Sequence, residues 1–289
     1  MGVRVSPLAQ MKKIVVIVGP TAVGKSDFAV NYAIENNGEI ISADSRQVYK
    51  GLDIGTGKIT RKEMRGISHY LLDIADPRER FSVDKFRKLG EEAIENILKK
   101  GKLPIISGGT GFYIDALVNN ISYPDTEHNE ELNSRNLEEI QNMLKELDIN
   151  YFNQLNNSEK NNKKRLIRAI EIIGVKGIMP KIKDNPKYEV EWIGLKCPNE
   201  KLKERIHIRL LKRIKSGMIE EVEGLYKNGL SWERMEELGL EYRYISKYLR
   251  NLITKEEMLE QMEMEIWHYA KRQMVWWKRN KKIDWREIK

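Results

Sequence analysis

"IVVIVGPTAVGKS" runs from Ile14 to Ser26. Its first five residues are all β-branched, and the run stops at a glycine, which predicts a fully buried strand over 14–18. Gly19, Gly24, Lys25 and Ser26 then satisfy G-x-x-x-x-G-K-[ST], and a helix is predicted directly behind, from about Lys25 to Asn36. The chemistry needs these residue types at this spacing. Glycines let the backbone close around an anion, and the loop amides and helix N-terminus point at phosphate oxygens. Lys25 adds a point charge, and the Ser26 hydroxyl can bind Mg²⁺. Gly19, Pro20, Thr21, Ala22, Val23, Gly24, Lys25 and Ser26 are therefore candidate phosphate-binding residues, with Ser26 the candidate metal ligand. The motif leaves the substrate open, because nucleotide hydrolases, small-molecule kinases and some transferases share it.

Outward from this loop, "EIISA" (39–43), "HYLLDI" (69–74), "LPIIS" (103–107) and "EWIGLKC" (191–197) read as four further strands. Ser82 is placed to N-cap a helix through Lys100, with Phe86, Leu89, Ala93 and Leu98 on one face. Strands alternating with helices predict an α/β fold around a parallel sheet. Between about Asn120 and Asn185 the chain turns polar, Asn-rich and helical, which predicts an inserted helical subdomain over 120–185 within a core of 11–119 and 186–289. A long helix is expected from about Glu200 to Lys227. A last one is expected from the capping box Thr254-x-x-Glu257 towards Lys281.

The composition narrows the function classes. The 289 residues carry 51 Lys plus Arg against 43 Asp plus Glu, a net charge of +8 that favours an anionic partner such as nucleic acid. One cysteine, Cys197, excludes an intrachain disulfide and a cysteine-based metal site, and reads as a small core residue. His69, His128, His207 and His268 lack metal spacing. The apolar runs fall far short of the ~20 residues of a membrane span. "MGVRVSPLAQ" (1–10) has no signal-peptide hydrophobic region and reads as a disordered or vector-derived leader. No membrane association, a cytoplasmic location and, by default, a monomer are expected.

"ISADSRQVYKGLDIGTGK" (41–58) is more distinctive than the phosphate loop. Together with "GPTAVGKS", "HYLLDI", "ISGGTGFY" (106–113) and "YAKRQMVWW" (269–277), it resembles the tRNA dimethylallyltransferases, in order from about Lys12 to Trp277. The resemblance implies a kinase-like P-loop core with an inserted all-helical subdomain, the two gripping RNA. It implies that the loop holds the diphosphate of dimethylallyl diphosphate, and that the acceptor is N6 of adenosine-37 in tRNA. The alternative, a small-molecule or nucleotide kinase, uses the same loop but leaves the basic insert and the 44–58 segment without a purpose.

An exocyclic adenine amine is a weak nucleophile, and its attack on an allylic carbon releases a proton that a carboxylate in hydrogen-bond reach can take. Asp44, at the C-terminal end of a strand beside the loop, occupies the place where α/β sheets carry their sites. From spacing alone it serves equally as a turn cap or as a partner behind a metal ligand; the resemblance assigns it as the general base. Arg209, in "RIHIRLLKRIKSG", is matched to the leaving-group arginine, whose planar guanidinium suits a bidentate phosphate contact. Lys25 and Thr21 complete the expected catalytic set.

The resemblance also implies an RNA-reading set: Asp44, Ser45, Arg46 and Gln47; Thr110, which also suits a helix N-cap; Lys164, Arg165, Leu166, Ile167 and Arg168; and Tyr242 and Arg243. Two departures from the family pattern stand out. Glu241 replaces a glycine before Tyr242, and Asn133 stands where an arginine is usual, with Arg135 close by. Trp276 and Trp277 lie among cations of the last helix, and an amphipathic face predicts core packing for them.

Overall fold

The computed structural model describes residues 11–124, 126, 128–180 and 185–288. The leader expected over 1–10 lies outside them. The chain divides into two compact units, one built from Met1–Asn120 and Asn185–Lys289, the other from Ile121–Asp184.

The first unit is organised on six parallel strands: β1 (Lys12–Val18), β2 (Gly38–Ser42), β3 (His69–Tyr70), β4 (Leu103–Ser107), β5 (Tyr188–Lys196) and β6 (Asp284–Glu287), in the order β3-β2-β4-β1-β5-β6. The α/β parallel sheet expected from the sequence is the observed fold. β1 lies between β4 and β5, pairing Val15 with Ile105 and Glu191. Alternate side chains of β1 enter opposite layers: Val15 and Ile17 join one apolar cluster, and Ile14, Val16 and Val18 the other. That is why the strand reads as an unbroken apolar run. Helices Lys25–Glu35, Asn199–Lys215 and Lys255–Trp277 cover the first face, and Val83–Lys99 and Gly111–Val118 cover the second.

Three expected boundaries are corrected. The helix expected over 200–227 is two, Asn199–Lys215 and Met218–Lys227, broken at Gly217 with φ 97°. "HYLLDI" yields only two strand residues, because Leu71 and Asp73 turn into left-handed backbone at φ 64° and 56°. The last helix stops at Trp277, where the Asn280 side chain accepts the Lys282 N–H and turns the chain. That turn feeds β6, whose short, mostly exposed sequence "DWRE" carries no apolar period. Trp277 is 1% exposed and Trp276 donates its indole N–H to Asp115 at 2.9 Å, so both tryptophans serve packing. Cys197 is half-buried against the first apolar cluster, and burial raises its thiol pKa.

Every regular element among the second unit's described residues is a helix, and the unit has its own core of Leu132, Ile140, Leu144, Phe152, Leu166, Ile167, Ala169, Ile170 and Ile173. Arg168 braces it, donating to the carbonyls of Thr126 and Pro124 at 2.8 Å each and pairing with Glu171 at 3.0 Å.

Candidate active site

The phosphate loop leaves β1 through Gly19, whose φ of 149° and close approach leave no room for a side chain: a Cβ there would lie 2.5 Å from the Leu195 carbonyl oxygen. Ala22 is left-handed at φ 63°, which costs a non-glycine residue about 1–2 kcal/mol. The neighbouring β1 residues are fully buried, each contributing roughly 1.5–3 kcal/mol, so the packed strand easily offsets that strain. Gly24 caps the helix Lys25–Glu35 in left-handed geometry at φ 98°, and no side chain caps that helix end. Its first amides are left for an anion. Lys25 folds over the loop and donates to the carbonyls of Gly19 (3.0 Å) and Pro20 (2.7 Å). Burial, then the charge of Arg209, lowers its pKa to about 7, with Asp44 acting in the opposite sense.

A cavity of about 290 Å³ opens over this loop, lined by Thr21, Lys25, Ser26, Asp44, Gln47, Thr56, Gly57, Gly108, Arg209, Tyr269 and Gln273 among others. A second, of about 280 Å³, is walled by Ser45, Arg46, Arg213, Glu241, Tyr242, Arg243 and Arg272. Thr21, Asp44, Thr56, Arg209 and Tyr269 line both. Residues brought together from positions 21 to 269 thus form a common wall.

Asp44 sits on that wall. Its Oδ1 accepts the N–H of Arg46 (2.9 Å) and Gln47 (3.3 Å), so the turn-cap role open from spacing is real. Among the described residues no hydrogen bond reaches Oδ2, which leaves one carboxylate oxygen available for chemistry. Arg209, on the same wall, donates to the Gly57 carbonyl (3.2 Å) and the Thr21 hydroxyl (3.4 Å). Burial and Arg213 lower its pKa, while Glu241, Asp44 and Glu63 raise it. Tyr269 is driven upward by burial first and by Asp44 second, which keeps its phenol neutral.

Several expected contacts lie elsewhere in the site. Gln47 faces the first cavity, receiving the Ser42 hydroxyl at 3.2 Å and reaching the Thr56 and Gly57 carbonyls at 3.4 and 3.5 Å. Thr110 is an N-cap by position only; its hydroxyl accepts the Ser45 N–H at 3.0 Å and so fixes the turn after Asp44. Tyr242 is 1% exposed and donates its hydroxyl to Glu221 at 2.8 Å, so its side chain is a support and not a reading surface. Leu166 and Ile167, 1% and 6% exposed, belong to the core of the second unit, which leaves Lys164 and Arg165 as the outward side chains of that segment. Arg243 is held by the Glu236 carbonyl at 3.2 Å and lines the second cavity, whereas Asn133 and Arg135 are exposed in the helical unit. Glu241 pairs with Arg213 at 2.7 Å, so the departure from glycine installs a countercharge among arginines.

Sequence reasoning missed Gln273. It is 4% exposed, accepts the Thr21 N–H at 2.7 Å and donates to the Gly109 carbonyl at 2.9 Å, clamping the phosphate loop to the turn after β4. Its spacing of four from Tyr269 puts both on one helix face, and a buried amide on an apolar face was the available signal.

The IPP transferase family model matches residues 47–280. A tRNA dimethylallyltransferase 2 of Treponema denticola is 43% identical over 285 residues, covering 94% of each chain, and a tRNA dimethylallyltransferase of Anoxybacillus flavithermus is 40% identical, covering 95% of this chain and 90% of the relative. Among solved structures, the full-length tRNA isopentenylpyrophosphate transferase of Bacillus halodurans superposes with a TM-score of 0.73 at 36% identity, covering 96% of this chain and 90% of its own. A eukaryotic dimethylallyltransferase, described as acting on tRNA, superposes with a TM-score of 0.80 at 28% identity, covering 96% and 74%.

Proposed function

The chain belongs to the IPP transferase family, and from that membership we propose that it transfers the dimethylallyl group of dimethylallyl diphosphate to N6 of adenosine-37 in tRNA, releasing diphosphate. The family match removes the small-molecule kinase as an alternative. The observation that carries the mechanism is the common wall of the two cavities, with Asp44 and Arg209 on it.

The diphosphate occupies the first cavity, against the uncapped amides that open the helix Lys25–Glu35, the Lys25 ammonium and Arg209. The flipped adenine enters from the second cavity, at an unstacking cost of a few kcal/mol. Its N6 attacks C1 of the allyl group. The N–C bond forms as the C–O bond to diphosphate breaks, and the N6 proton passes to Oδ2 of Asp44. Charge growing on the leaving diphosphate meets Lys25, Arg209 and the loop amides, already in place and shielded from water. Thr21 orients Arg209 through its hydroxyl.

The Ser26 hydroxyl borders the first cavity, and the described residues contain no group of three His, Cys, Asp or Glu suited to a metal. Ser26 would hold Mg²⁺ at this border, and the ion would supply positive charge to the leaving group.

The outward Lys164 and Arg165 of the helical unit, and Arg46, Arg243 and Arg272 of the first unit, supply cations for RNA phosphates. No helix among the described residues is long and apolar enough to cross a membrane, and a cytoplasmic location agrees with a tRNA substrate. The test is direct: incubation with unmodified tRNA and dimethylallyl diphosphate adds the mass of one five-carbon unit to the RNA. An unchanged RNA mass overturns the proposal.

A further inference from the structure

Glu221 lies on the helix Met218–Lys227, outside both cavity walls. Its carboxylate accepts the N–H groups of three successive residues, Asp53 (3.1 Å), Ile54 (2.6 Å) and Gly55 (3.0 Å), and the Tyr242 hydroxyl (2.8 Å). Four donors converge on one side chain, which fills the acceptor capacity of a carboxylate.

The captured segment is "DIGTG", Asp53–Gly57, and it is the seat of the site's arginines. The Gly55 carbonyl accepts from Arg213 at 2.8 Å, and the Gly57 carbonyl from Arg209 at 3.2 Å. Both glycines are required by close approach. A Cβ on Gly55 would fall 2.6 Å from the Tyr242 ring, and one on Gly57, at φ 59°, 2.1 Å from the Arg209 guanidinium. The segment also turns on itself, with the Gly57 N–H on the Ile54 carbonyl at 3.0 Å, the Lys58 N–H on the Asp53 carbonyl at 2.9 Å and the Thr56 hydroxyl on the Leu52 carbonyl at 2.7 Å. Lys58 holds the Asp53 side chain at 2.7 Å, and Gln47 reaches Thr56 and Gly57 at 3.4 and 3.5 Å. These bonds shape the turn but do not tie it to another element as Glu221 does. Only the Glu221 carboxylate gathers consecutive amides of the loop backbone among the described residues.

We infer that Glu221 is a positioning residue for the leaving-group arginine: it fixes the backbone of Asp53–Gly57, and that backbone sets where the Arg209 guanidinium stands. The inference rests on the diphosphate role of Arg209 proposed above. A guanidinium displaced by about 1 Å loses much of its value to a developing charge, up to about 100-fold in rate.

The experiment is a double-mutant cycle with Glu221→Gln and Arg209→Ala, read by turnover at saturating dimethylallyl diphosphate and by calorimetric binding of inorganic diphosphate. Glutamine retains one oxygen for part of the donor set, so the variant keeps its fold, which a thermal melt verifies. The expected result is a loss of about 10–100-fold for Glu221→Gln in the Arg209 chain, falling below about 2-fold when Arg209 is already alanine. Diphosphate binding weakens in the same non-additive way. A merely structural role gives equal losses in both backgrounds, and that additivity overturns this inference while leaving the role of Arg209 intact. Unchanged turnover in Glu221→Gln overturns it too. Unchanged turnover in Arg209→Ala instead removes the diphosphate role of Arg209, and the inference with it.

Discussion

The two cavities that meet at Asp44 are built differently. The first is centred on the phosphate loop and the glycine turn at Gly108–Gly109, with Lys25 folded over its own loop and Arg209 its only arginine. The second is walled by side chains, five of them arginines (Arg46, Arg209, Arg213, Arg243 and Arg272), offset by Glu241 and Glu265. A pocket built on a glycine-rich loop recognises what every diphosphate shares and hardly changes on binding. A side-chain pocket of balanced charges can rearrange around a polyanion, because each arginine already has a protein acceptor to exchange. Arg213 illustrates this, with Glu241 on one nitrogen, the Gly55 carbonyl on another, and its buried Nε without a partner among the described residues. The division suits a small invariant donor on one side and a large folded acceptor on the other.

The comparison breaks first at the shared wall. Asp44→Asn keeps the size of the side chain and an oxygen for the Arg46 and Gln47 amides, but it removes the proton acceptor. Turnover is expected to fall by roughly 10²–10⁴-fold, with tRNA affinity within about 3-fold of the parent. Single-turnover transfer and an RNA-binding titration on the same preparation check the two halves separately. Near-normal transfer would take the proton away from Asp44, and lost RNA affinity would make it a reader of the second cavity.

A smaller effect sharpens the role of the backbone. Gly57→Ala places a Cβ on the Arg209 guanidinium as well as straining a left-handed residue, whereas Gly51→Ala, at φ 74°, meets only a Leu225 methyl at 3.7 Å. Each is expected to cost about 1–2 kcal/mol of stability from backbone strain. Only Gly57→Ala is expected to lower turnover, by about 10-fold or more, as Arg209 shifts. Denaturant melts and initial rates on both variants test this. Equal rates would mean that the loop yields without moving the arginine.

The same contrast explains what was legible in the sequence. The phosphate loop of the first cavity is written in consecutive residues, so Gly24, Lys25 and Ser26 could be placed from spacing, whereas Asp44 was placed by the strand that ends beside them and given its role by the resemblance. The second is assembled from segments near 46, 209–213, 238–243 and 265–272, and no local pattern states that they meet. The resemblance supplied Tyr242 there, yet it could not say that the ring is buried beneath Gly55 with its hydroxyl on Glu221. Gln47 and Thr110 likewise read as polar edges free for a base, and the fold uses both as braces. Arg168 belonged to a basic run that reads as a phosphate contact, but carbonyls of Pro124 and Thr126 claim it. In each case a polar group was readable, and the partner that determines its role was distant in the chain.

The smallest expected effect tests whether the phosphate-loop cavity is as passive as its construction implies. Burial and Arg209 lower the Lys25 pKa to about 7, so in the free protein the ammonium is charged below that pH and increasingly neutral above it. An arriving diphosphate favours the charged form, and above pH 7 its binding must therefore draw a proton onto Lys25. Inorganic diphosphate binding, followed by calorimetry at pH 8 in two buffers of different ionisation enthalpy, is expected to take up a fraction of a proton more in the parent chain than in Lys25→Met. At pH 6 the difference should vanish, because Lys25 is already charged. Stability runs in a linked direction: between about 7 and the unfolded lysine value of 10.5 the unfolded chain binds the extra proton, so this group's contribution makes the free protein more stable as pH rises through that window. A proton difference equal at both pH values would mean that Lys25 keeps its charge in the empty loop, and the first cavity would then be fully prepared before its ligand arrives.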